Sequence, residues 1–121
     1  MRLMLSSLKK VEFIGGMYEL LEEYPNKKIV LTGANDEQME KFGLNKLAYE
    51  VFTLKHSPEK TNLEYYQKML EFFNLKAEDV VYFEHDKEAV ESAQSVGIKT
   101  YYYDKDKKDL KALKDFLESN L

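Results

Sequence analysis

A three-layer α/β fold, with a parallel sheet covered by helices on both faces, is predicted by three observations. The apolar runs in KIVLT (28–32) and DVVYF (79–83) are continuous, not alternating, as in parallel strands buried on both sides. Between such runs lie stretches with apolar residues at i, i+3, i+4 and i+7, the spacing of an amphipathic helix. The two patterns alternate along the chain, which calls for right-handed strand–helix–strand crossovers. At 121 residues, the expectation is one domain spanning 1–121.

Taken in order, Arg2 to Ser6 is a short strand candidate, with Leu3 and Leu5 alternating with Arg2 and Met4. Gly15 and Gly16 mark a turn. Met17, Leu20, Leu21 and Tyr24 then share one helical face, which Pro25 and Asn26 end. Lys28 to Thr32 is a buried strand, followed by the loop Thr32-Gly33-Ala34-Asn35. Asn35 and Gln38 have capping-box spacing for the next helix, and Gly43 suits its stop. Glu50 to Thr53 is another short strand.

The polar loop from Leu54 to Lys60 follows, carrying Lys55, His56 and Pro58. Thr61 and Glu64 pair as a capping box opening a helix whose stripe is Leu63, Tyr66, Leu70 and Phe73. Asp79 to Phe83 is a strand, and Asp86 caps the helix after it, with Ala89, Val90, Ala93 and Val96 inward. Gly97 stops that helix and Lys99 to Tyr103 is the last strand. Leu110, Leu113, Phe116 and Leu117 close the chain as an amphipathic helix, with Lys105 to Lys114 on its solvated side.

Composition narrows the function classes. The net charge is -4, and the lysines are interleaved with acids instead of clustered, which argues against nucleic acid as a partner. No apolar run approaches a membrane span, so no membrane partner is expected. MRLMLSSLKKVEF lacks the apolar core and cleavage site of a signal peptide. With no cysteine there are no disulfides and no thiolate metal site, and the cytoplasm is the natural compartment.

Ligands of open parallel sheets bind outside the carboxyl ends of the strands. Function is therefore expected at Thr32, the Thr53–Lys60 loop, Glu84 to Asp86, and Asp104. Glu84 is the most suggestive acid, because the strand before it should be buried. Its plainer reading is a partner for Lys60 or a loop hydrogen bond. His56 and His85 lack the carboxylate set that a zinc site needs, and read more simply as loop residues. Tyr101 to Tyr103 could offer a stacking platform, but a β-rich strand with outward rings is the simpler reading.

Four segments, in order and with matching spacing, resemble the haloacid dehalogenase-like (HAD) hydrolase superfamily: GGMYELLEEY, KKIVLTGAND, KTNLEYYQKMLEFFNL and DVVYFEHDKEAVESAQSVGIKTYYY. The resemblance covers the chain from roughly Gly15 to its end. It implies a three-layer, Rossmann-like core without a cap domain, and a small phosphorylated metabolite or other anion as ligand. By motif position it implies that Thr32, with Gly33, holds a phosphoryl group and that Lys60 neutralises it. It also implies that Glu84 and His85 stand where paired aspartates hold Mg²⁺. Such chemistry depends mainly on positioning and charge stabilisation.

The chain departs from that pattern at its first motif, a strand ending in Asp-x-Asp whose first aspartate is the nucleophile. No aspartate precedes Asp36, and Ser6 and Ser7 stand where the carboxylate should be. Neither serine has a readable base to activate it, so no catalytic residue is assigned. At the metal position an imidazole replaces an acid, whereas Mg²⁺ prefers oxygen ligands.

The expectation is therefore a non-catalytic member, a pseudoenzyme binding an anion or a protein partner through the old site. One alternative is a truncated or variant phosphatase whose nucleophile strand comes from elsewhere. Another is a receiver-like module, which should carry an acidic pair after its first strand. If the first strand does not form, the sheet edge so exposed would favour a homodimer.

Overall fold

The computed structural model describes residues 2–6, 16–33, 37–38, 49–55, 57–104, 106–107 and 109–121. Five strands form one parallel sheet: β1 (Arg2–Ser6), β2 (Lys28–Thr32), β3 (Glu50–Thr53), β4 (Val80–Glu84) and β5 (Lys99–Tyr102). Their order is β3-β2-β1-β4-β5. Among the described residues the helices with defined bounds are α1 (Gly16–Glu22), α2 (Leu63–Phe73), α3 (Lys87–Ser95) and α4 (Leu110–Asn120).

The weakest strand in the sequence is the central one. β1 pairs with β2 from Leu3–Lys28 to Ser6–Leu31, and with β4 from Arg2–Val80 to Leu5–Phe83. The slot for the first strand is thus filled by this chain's own residues, not from elsewhere. The sheet edges are β3 and β5, so the open edge that losing β1 would create does not arise.

Alternation along the strands divides the core. Leu3, Leu5, Val30, Val81 and Phe83 pack on one side with Leu20 and Leu21 of α1 and Leu113 and Leu117 of α4. Met4, Ile29, Leu31, Val80 and Tyr82 pack on the other with Tyr65, Tyr66 and Met69 of α2 and Ala93 of α3. Two helices per face give the expected three layers. The links from β1 to α1 and from β2 to β3 comprise residues 7–15 and 33–49. No separate cap domain is present among the described residues.

Several local expectations are corrected. The cap of α2 is Asn62, not Thr61: its side chain accepts from the Glu64 amide at 2.9 Å. Asn is the stronger cap, and using it starts the helix one residue later. The buried face of α2 is Tyr65, Tyr66 and Met69, whereas Leu63 is 44% exposed in the first turn. Asp79 belongs to a 3₁₀ turn (Ala77–Asp79), and the strand after it runs on to Glu84.

Of the three tyrosines of 101–103, only Tyr102 points out. Tyr103 is buried against Phe83, and Tyr101 stacks on Phe116 with centroids 5.2 Å apart. The last helix starts at Leu110, capped by Asp109, and its lysine-bearing stretch is correspondingly shorter. α3 is capped by Asp86 as expected, and beyond its end Gly97 takes φ +92°, a conformation that suits glycine. Gly15, Asn35 and Gly43, and the side chain of Met17, lie outside the described residues.

Candidate functional site

The chain moves outward from β1 through β2 to β3, then crosses back to β4 on the other side of β1. That reversal opens a crevice at the carboxyl ends of β1 and β4, the usual place for a ligand in such a sheet. Glu84 ends β4 there and is 0% exposed. Lys60, 24 residues earlier, enters the same place from the segment before α2.

The Lys60 ammonium donates to Glu84 Oε1 at 2.7 Å and lies 3.4 Å from the Leu31 carbonyl at the end of β2. Its side chain retains only 15% of its exposure. The Tyr82 hydroxyl, two residues back on the same face of β4, also donates to Oε1 at 2.7 Å. Glu84 Oε2 accepts from the His85 amide at 2.8 Å and the Asp86 amide at 3.4 Å, and His85 Nδ1 lies 3.3 Å from it. The carboxylate is therefore buried, charged and surrounded by donors, which is the condition under which a buried charge is tolerated.

Tyr65 adds a second tie. Its buried hydroxyl donates to the carbonyls of Thr32 at 2.7 Å and Phe52 at 3.2 Å, fixing α2 to the ends of β2 and β3. Thr32 is 3% exposed and Gly33 half-buried beside it. The structure thus brings Thr32, Gly33, Lys60, Glu84 and His85 to one end of the sheet. Asp104 is occupied with its own turn, accepting from the Asp106 and Lys107 amides at 2.9 and 3.2 Å. His56 and Ser7, and the side chain of Ser6, lie outside the described residues; the Ser6 backbone ends β1 opposite Leu31.

Tyr82 and Tyr65 were not singled out from the sequence. The one available signal was alternation: a tyrosine two residues before a buried acid shares its face. Burial, and next the neighbouring Glu84 charge, push the Tyr82 phenol well up, so it stays a donor.

Burial is the largest single influence on Glu84 and pushes its carboxyl up. The Lys60 charge and hydrogen bond, the Tyr82 hydrogen bond and the nearby His85 together outweigh it, leaving the pKa below its ordinary 4.5. A carboxyl lowered on folding stabilises the fold above its unfolded pKa and loses that contribution as pH falls through the folded one. The thermal midpoint should therefore drop as the pH is taken below 4.5. A Glu84→Gln chain should show a flatter curve in that window. If acidification instead narrows the gap by stabilising the wild type, burial outweighs Lys60 and this charge assignment is wrong.

Among the described residues no three His, Cys, Asp or Glu side chains come together to hold an ion. No helix among them is long and apolar enough to cross a membrane.

A parallel sheet whose strand order reverses at β1 defines the doubly wound α/β class, in which ligands bind outside the carboxyl ends of the strands. Residues 2–103 match the sequence pattern of the haloacid dehalogenase-like hydrolases, and the chain belongs to that family. The match begins within β1, not at Gly15, so it includes the strand where the sequence departs most from the expected motif. No curated protein sequence matches the chain.

Solved structures similar in fold include the following two. An uncharacterized protein from Corynebacterium glutamicum superposes with a TM-score of 0.63 at 14% identity, over 96% of this chain and 95% of the other. A HAD family enzyme from Bacteroides thetaiotaomicron superposes with a TM-score of 0.59 at 17% identity. That match covers 72% of this chain and 52% of the enzyme. The enzyme was captured with magnesium and inorganic phosphate, in a variant with one aspartate replaced by alanine.

Proposed function

We propose that this chain is a non-catalytic member of its family, which holds a small phosphate-like anion at the carboxyl ends of β1, β2 and β4 without transferring a phosphoryl group. The observation that carries the proposal is the end of the central strand. β1 stops at Ser6, and no aspartate precedes Asp36. Nucleophilic transfer needs a group that can take the phosphoryl, and a serine does so only beside an activating base. The Thr32 hydroxyl, the Gly33 amide and Lys60 are the groups assigned to the anion. Because Lys60 is already paired with Glu84, the positive field is partly neutralised and binding is weak, with Kd on the order of millimolar. A small phosphorylated metabolite fits this reading as a bound ligand. The cysteine-free sequence fits a reducing cytoplasm as the place of work.

Inorganic phosphate titrated into ¹⁵N-labelled protein tests the binding. Saturating shifts at the Thr32 and Gly33 amides, absent with equal concentrations of chloride, are expected. Shifts confined to surface lysines, or none at all, would reduce the site to a structural remnant. The rival reading, a variant phosphatase, draws support from the phosphate-bound Bacteroides enzyme, and it requires turnover.

A further inference from the structure

We infer that Lys60 is the built-in cation of this site, so that both the fold around Glu84 and anion binding are independent of magnesium. The inference rests on the anion-binding reading above and concerns what supplies the positive charge there. Among the described residues Glu84 is the one fully buried acid at the strand ends, and its oxygens are taken up. Oε1 accepts from Lys60 and Tyr82, both at 2.7 Å. Oε2 faces the His85 and Asp86 amides and His85 Nδ1 at 2.8, 3.4 and 3.3 Å. A carboxylate offers about four lone-pair positions, and four donors, Lys60, Tyr82 and the His85 and Asp86 amides, surround this one. Magnesium requires oxygens at about 2.0–2.1 Å in near-octahedral array. To reach Glu84 it would have to displace an ammonium that is itself largely buried and tied to the Leu31 carbonyl. The two cations would then compete for one carboxylate, and among the described residues no three His, Cys, Asp or Glu side chains come together around it. The next residue, His85, brings an imidazole where an oxygen donor would be needed.

The probes are MgCl₂ and MnCl₂ alone, then inorganic phosphate with and without MgCl₂, on the full chain. At 10 mM MgCl₂, about ten times the Kd of a millimolar site, a bound ion would raise the thermal midpoint by roughly 5 °C. The expected midpoint equals that in KCl of matched ionic strength. MnCl₂ should leave the His85 and Asp86 amide signals unbroadened, and the phosphate affinity should be the same within about twofold with or without Mg²⁺.

Lys60→Ala exposes Glu84 to a replacement cation, and should gain a Mg²⁺-dependent rise in midpoint that the wild type lacks. Should Lys60→Ala fail to fold, the wild-type manganese experiment decides alone. Selective broadening at His85 and Asp86, or tenfold tighter phosphate binding with Mg²⁺, would overturn the internal-cation inference while leaving the non-catalytic reading intact. Hydrolysis of a phosphate ester would instead overturn that reading, whatever the metal result.

Discussion

Replacing Lys60 by alanine is expected to destabilise the fold by about 3–5 kcal/mol, the usual cost of removing one partner of a buried ion pair. The magnitude follows from what is left behind. Glu84 has no exposure to solvent, so its charge cannot be recovered by hydration. Tyr82 and the two amides still donate, but no cation offsets the carboxylate, and the group must either protonate or drag water into the core. Chemical denaturation at pH 7 measures the loss.

The paired replacement Lys60→Met with Glu84→Gln should recover most of it, because the cost comes from the uncompensated charge and not from the pair as such. If Lys60→Ala unfolds at the same denaturant concentration as the wild type, the pair is solvated in solution. The closed arrangement around Glu84 would then be wrong.

Leu5→Ala is expected to cost about 2–5 kcal/mol, in the range for a large-to-small change in a packed core. Leu5 is fully buried, lies between β2 and β4, and packs in the cluster that α1 and α4 cover. A strand at the margin of the sheet would tolerate the change with a loss of well under 1 kcal/mol. The experiment therefore asks whether Arg2–Ser6 is the central strand in solution. The answer matters for function, because a chain that fills this slot with its own serine-ended strand leaves no place for a nucleophile-bearing strand from another source. Equilibrium denaturation of the variant, with an unchanged m-value, is the measurement.

The layers of the fold could be read from the sequence because β2 and β4 are continuous apolar runs and the helices between them keep a 3.6-residue period. β1 could not be read with the same ease. Five residues with mixed alternation carry little signal, and β1's central position comes from pairing with two strands far away in the chain. The face of α2 was misjudged at Leu63 because an apolar template favours leucine over tyrosine, whereas Tyr65 buries its ring and satisfies its hydroxyl on two strand ends. The outward rings expected at 101–103 failed for a similar reason: Phe83 and Phe116 provide packing that a local pattern does not see.

At the site, Thr32, Gly33, Lys60, Glu84 and His85 could be placed at one end of the sheet by position in the motifs. That Lys60 and Glu84 meet at 2.7 Å, and that Tyr82 joins them, depends on the depth of one side chain against another across 24 residues of sequence. Local periodicity carries no such information.

The central claim is that this chain lacks phosphoryl transfer. Its most direct measurement is phosphate release from a generic phosphomonoester by the purified wild type with MgCl₂ at neutral pH, followed over hours against a buffer blank. The account predicts release indistinguishable from the blank, together with intact ester recovered in full. Multiple turnovers that require Mg²⁺ and disappear with Lys60→Ala would contradict it, and would make the chain a phosphatase with an unassigned nucleophile.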